Sequence, residues 1–85
     1  MGHTLHIVKS VGSPHPWDLI AQHASTDEYM IVLIQDAVAA RPPLAGPTFV
    51  LERDARARGA STTYPLIDDD RLVDLIWEAD TVVVW

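Results

Sequence analysis

The sequence predicts an α/β protein, a small three-layer α/β/α sandwich with a five-stranded, mainly parallel sheet. Three observations carry this. Met30–Ile34 is an uninterrupted apolar run, M-I-V-L-I, too short for a membrane span and suited to a strand buried on both faces. Gln35 and Asp36 then end the run with polar side chains, and the small, helix-compatible Ala37–Ala40 follows, which is half of a βαβ unit. Finally, strand-like and helix-like segments alternate along the chain, the pattern of parallel strands joined by right-handed helical crossovers on both faces of a sheet.

Taken in order, Leu5–Val8 is the first strand, with Leu5 and Ile7 on one face and His6 and Val8 on the other. Lys9–Ser13 is loop. Ser13 suits a helix N-cap and Pro14 the first helical position, where its missing N–H costs nothing. The helix runs to about Ala24, and Trp17, Ile20, Ala21 and Ala24 form one apolar stripe towards the sheet. Ser25-Thr26-Asp27-Glu28 breaks the chain before the central strand. Arg41-Pro42-Pro43 stops the short second helix. Thr48–Leu51 is a third strand, and Glu52–Arg58 holds one or two helical turns closed by Gly59. Tyr64–Ile67 is a short strand that Pro65 confines to an edge or a strand start. Asp68–Asp70 opens the strongest helix, with Leu72, Leu75, Ile76 and Ala79 as its stripe and acids at the positive end of its dipole. Thr81–Val84 is the last strand, followed by Trp85.

The 85 residues make one domain, 1–85, without repeats. A domain this small buries about 60–65% of its unfolded surface, so a partner or self-association is expected to contribute to its stability. The net charge of −6 and the lack of a basic stripe argue against direct nucleic-acid binding. There is no cysteine, which excludes disulfides, thiolate metal sites and cysteine chemistry. No signal peptide opens the chain and no segment approaches about 18 apolar residues, so the expected setting is soluble and cytoplasmic, without a membrane partner.

Ligands of open parallel sheets sit at the carboxyl ends of the strands. Those ends carry Lys9, Ser10, Gln35, Asp36, Glu52, Asp54 and Asp68–Asp70, an acidic rim apart from Lys9. Such a rim repels phosphates, and no glycine-rich phosphate loop is present, so no nucleotide or flavin cofactor is expected. Asp36, Asp54 and Asp68 or Asp69 each stand at a helix start, where capping is the ordinary reading ahead of a divalent-cation site. His3, His6, His15 and His23 match no compact zinc spacing, so no metal is expected there either. No G-x-S-x-G elbow supports Ser10 or Ser13 as a nucleophile. Trp17 suits the core, whereas Trp77 and Trp85 suit an interface.

These residues also carry a resemblance. Thr4-Leu5-His6, Ser13-Pro14 with Trp17, I-V-L-I-Q-D-A-V at Ile31–Val38, V-L-E-R-D-A-R-A-R-G at Val50–Gly59, L-I-D-D-D at Leu66–Asp70 and Trp85 at the extreme end occur together. In this order the chain resembles the DsrH/TusB family of the DsrE/F/H-like sulfur-relay proteins over essentially its whole length. The resemblance implies a hetero-oligomer with DsrE/TusD-like and DsrF/TusC-like subunits. Such complexes pass persulfide sulfur towards tRNA wobble 2-thiouridine or serve sulfur oxidation. It also implies that the indispensable transferring cysteine belongs to the DsrE/TusD-like partner.

The chain departs from the pattern in lacking cysteine, in having Ala37 where the family has a glycine after Q-D, and in a short segment between Ala40 and Pro47. The expectation is a non-catalytic, accessory subunit with no residue assigned to catalysis. Gln35 and Asp36 are expected beside the partner's sulfur-carrying site, with Trp77 and Trp85 as contact anchors. The abbreviated second helix is expected to leave one sheet face for a partner to cover. The alternatives are a small metal-dependent enzyme using Asp36, Asp68 and a histidine, or a stand-alone homo-oligomeric binding protein on the same fold.

Overall fold

A computed structural model of the chain describes residues 3–12, 16–24 and 28–85. The proposed cap Ser13-Pro14 and Ser25-Thr26-Asp27 of the proposed break lie outside them, and Glu28, the last residue of that break, instead opens the second strand. The chain forms strand β1 (His3–Val8), helix α1 (Trp17–Ala24), β2 (Glu28–Leu33), a 3-10 segment (Gln35–Ala39), β3 (Thr48–Leu51), α2 (Glu52–Ala57), β4 (Leu66–Ile67), α3 (Asp69–Glu78) and β5 (Thr81–Val84). The five strands make one sheet in the order β4-β3-β2-β1-β5. Every neighbouring pair is parallel. The alternation in the sequence predicts a mainly parallel α/β sheet, and the sheet is parallel throughout.

Side chains of alternate parity on the central strands feed two separate cores. Val8, Ile31, Leu33 and Val50 pack with Ile20 of α1, Ala37 and Val38 of the 3-10 segment and Ala55 of α2. Leu5, Ile7, Val32 and Ile67 pack with Leu75 of α3, which has Leu72 and Ala79 beside it. Three connecting elements thus serve one face and a single ten-residue helix serves the other. Complete burial of Leu5, Val8, Ile31, Val32 and Leu33 explains why the central strand reads as a continuous apolar run rather than an alternating one.

The local signals hold in most places. Gly59 has φ +60°, and the amides of Gly59 and Ala60 close α2 onto the carbonyls of Arg56 and Ala55, a Schellman end that needs a residue free to go left-handed. The Asp68 carboxylate accepts the Arg71 N–H at 2.8 Å, capping α3.

Other expectations are corrected. Asp36 and Asp54 do not cap their own helices, since the N-cap residues are Ile34 and Leu51 and neither helix start receives a side-chain cap. Ala21 is exposed rather than on the buried stripe of α1. The fourth strand shrinks to Leu66–Ile67 because Pro65 offers no N–H to the ladder. Ala37, which stands where the family has a glycine, keeps a negative φ, and the positive φ falls two residues earlier on Gln35, at 50°, a position the sequence did not single out. The second helix is only a 3-10 segment, but Ala37 and Val38 still bury there and Leu44 packs alongside. The less covered face is the opposite one, where Val82 and Val84 of β5 are 38% and 57% exposed.

Candidate functional site

Two regions are organised beyond what packing requires. The first is a polar cluster at the carboxyl ends of β2, β3 and β4. β2 ends at Leu33, and the chain turns at Gln35 in the left-handed region, which strains a residue with a Cβ. Its N–H donates to Asp54 Oδ2 at 2.7 Å. Asp54 sits in the first turn of α2 with its side chain only 14% exposed, between Arg53 and Arg58, each 3.9 Å from Oδ1. Arg58 Nε donates to Asp36 Oδ1 at 2.9 Å, and Arg53 reaches Asp69 at 3.1 Å. Glu52 and Arg56 pair along α2 at 2.8 Å. Glu52, Arg53, Arg56, Asp68 and Asp69 line an open cavity of about 330 Å³.

The rim is therefore less acidic than the sequence suggests. Three arginines of the α2 segment fold back over it and engage its carboxylates. The spacing carried that signal, because Glu52–Arg56 and Asp54–Arg58 stand four residues apart on one short helix. Among the described residues, no three histidine, aspartate or glutamate side chains converge as a metal site would require. His3 opens β1 and His6 is fully buried, while His15 lies outside the described residues. The cluster fixes the β2 turn onto α2; it holds no paired nucleophile and base.

His6 instead binds Trp85. The indole N–H of Trp85 donates to His6 Nδ1 at 3.1 Å, and their rings lie 6.0 Å apart and tilted by 32°. An acceptor Nδ1 carries no proton. The Trp85 amide donates to the Ile7 carbonyl, and its own carbonyl accepts from the Lys9 amide. Trp85 is half-buried against the first core and anchors the end of β5 to β1.

The second region is the surface of α3 and β5. Leu72, Leu75 and Ala79 turn inward, while Val73, Ile76 and Trp77 form a second stripe that is 51%, 40% and 83% exposed. Ile76 thus leaves the inward stripe that the sequence gives it. The signal for the outward stripe was the same helical spacing, at i, i+3 and i+4, read one residue further round the helix. Val82 and Val84 are exposed on the same side of the sheet as α3, since their register partners are Leu5 and Ile7 of the second core.

The four expected contact residues do not share one surface. Gln35 and Asp36 are exposed at the carboxyl edge. Trp85 follows β5 at that same end but is tied down by His6. Trp77 lies near the far end of α3, which leads through Asp80 back to His3 at the amino edge. A further hollow at that amino edge, of about 460 Å³, is lined by His3, Glu28, Tyr29, Met30, Gly46 and Pro47, with the Tyr29 hydroxyl accepting the Gly46 N–H at 2.8 Å. Among the described residues, no helix is long and apolar enough to cross a membrane. Comparison with protein families and with curated proteins gave no match to this chain.

Proposed function

We propose that this chain is a non-catalytic, cysteine-free subunit of a DsrEFH/TusBCD-like sulfur-relay complex. It supports persulfide transfer, towards tRNA wobble uridine 2-thiolation or sulfur oxidation, by assembling its partners. The observation that carries an assembly role is the exposed stripe Val73, Ile76 and Trp77 of α3, on the same side of the sheet as the exposed valines of β5. Aromatic anchors that become buried on binding dominate interface energy, and Trp77, 83% exposed, is available as one. A chain without cysteine cannot itself hold a persulfide. The class of assembly comes from the resemblance of the Q-D-A-V, V-L-E-R-D and L-I-D-D-D segments described above. A cytoplasmic setting belongs to the same reading.

Co-expression with a DsrE/TusD-like and a DsrF/TusC-like chain, followed by native mass measurement, tests it. A complex containing all three, in which labelled sulfur resides only on the partners, is the expected result. A monodisperse protein that ignores both chains sinks the reading. The homo-oligomeric alternative rests on the same apolar surface, and its mark is a mass that rises with concentration in the absence of any partner. Divalent-cation titration addresses the metal-dependent alternative, because a metal bound only by the native state must raise the melting temperature.

A further inference from the structure

The two edges of the sheet are built in opposite ways. At one edge β4 is two residues long and follows Pro65. Short edge strands and prolines are standard means of keeping foreign strands away. At the other edge β5 reads Thr-Val-Val-Val, with no lysine, proline or charge within it. Its outward geometry follows from its bonds to β1. Trp85 gives its N–H to Ile7 and takes the N–H of Lys9, so residue 85 faces β1. Alternate residues of a parallel strand face the same neighbour. Val82 and Val84 therefore aim their N–H and C=O groups away from β1, over the open edge, with half-exposed apolar side chains beside them.

Charge decides what fits there. From Asp74 to Asp80 the chain carries Asp74, Glu78 and Asp80 with no basic residue between them, while Asp69 pairs with Arg53 and Arg71 lies 3.6 Å from Glu78. A second copy would bring this acidic segment against its twin, on chains that each carry −6. A basic segment meets it with complementary charge.

We infer that β5 is an acceptor edge for a strand of a basic partner. An extended segment of another protein pairs its main chain with Val82 and Val84, lays apolar side chains beside theirs, and sets flanking lysines or arginines against the acids of α3 and Asp80. This rests on the reading of the chain as an assembly-forming subunit and names the chemistry of the partner's docking segment.

The test follows hydrogen exchange of the Val82 and Val84 amides by NMR in the full chain. The probes are synthetic Val/Thr peptides of about ten residues, flanked by lysines or by glutamates. The lysine-flanked peptide is expected to slow both amides roughly tenfold, and the glutamate-flanked one to leave them unchanged. Val84→Pro removes an outward donor while sparing the bonds to β1, and is expected to abolish the slowing at Val82, the amide that still reports, with the circular dichroism spectrum intact. Should that variant unfold, Val84→Lys gives the same reading by guarding the edge.

Equal slowing by both peptides, slowing by neither, or self-association that protects the two amides without peptide overturns the inference. If the sulfur-relay subunits fail to bind while the lysine peptide protects the edge, only the sulfur-relay reading falls. If they bind and leave both amides unprotected, only the edge inference falls.

Discussion

Replacing Asp54 tests whether the carboxyl-edge cluster holds the central turn. Asp54 is largely buried and accepts the N–H of Gln35, a residue at φ 50°. A hydrogen bond to a charged group contributes about 1.5–3 kcal/mol, and the lower end applies because Gln35 is exposed and water can take over its N–H. The contacts to Arg53 and Arg58 at 3.9 Å add only a few tenths of a kcal/mol, since both arginines are substantially exposed. Asp54→Ala should therefore destabilise by about 2 kcal/mol, a drop of roughly 8–16 °C in melting temperature for a domain of this size. Asp54→Asn keeps an oxygen acceptor and should lose about half as much. Gln35→Gly adopts the left-handed turn without the Cβ penalty, and should recover roughly 0.5–1 kcal/mol of the Asp54→Ala loss. Urea unfolding with an unchanged slope measures all three. An Asp54→Ala protein within about 0.5 kcal/mol of the parent, or an Asn variant as damaged as the Ala one, would refute the argument.

Trp85→Phe removes the indole donor to His6 and should destabilise by about 1 kcal/mol, and nitrogen NMR of the parent should show His6 with its proton on Nε2. Gly46→Ala drives a Cβ into collision with the edge of the Tyr29 ring, whose hydroxyl accepts the Gly46 N–H, so a loss of about 1–3 kcal/mol is expected from urea unfolding. Trp77→Ala should leave stability within about 0.5 kcal/mol because the side chain is 83% exposed. If the chain assembles as proposed, the same change should weaken that complex by about 2 kcal/mol, roughly thirtyfold in dissociation constant by titration calorimetry.

These outcomes depend on features that are unequally visible in the chain. The buried strand Ile31–Leu33, the Asp68 cap and the Gly59 helix end are local, and each was legible because one residue type meets one backbone need. The roles of Asp36 and Asp54 were misread as caps. Both stand in a first helical turn, where the local prior is strong, yet their partners are Arg58, twenty-two residues on, and Gln35, nineteen back. No periodicity reports such a pairing. The same holds for Trp85, whose partner His6 lies seventy-nine residues away.

The α/β class, the five strands and most of the apolar stripe that seats α3 can be read along the chain. These follow from composition and short-range periodicity, which act within one turn or one strand. That three connecting elements share one face while α3 stands alone on the other emerges only when the strands are placed in order. The same placement decides that Trp77 projects outward while Trp85 is pinned to His6, and that β5 rather than β4 forms the bare edge. Strand order fixes all three, because a residue's exposure depends on which strand or helix becomes its neighbour, and that neighbour lies far away in the chain.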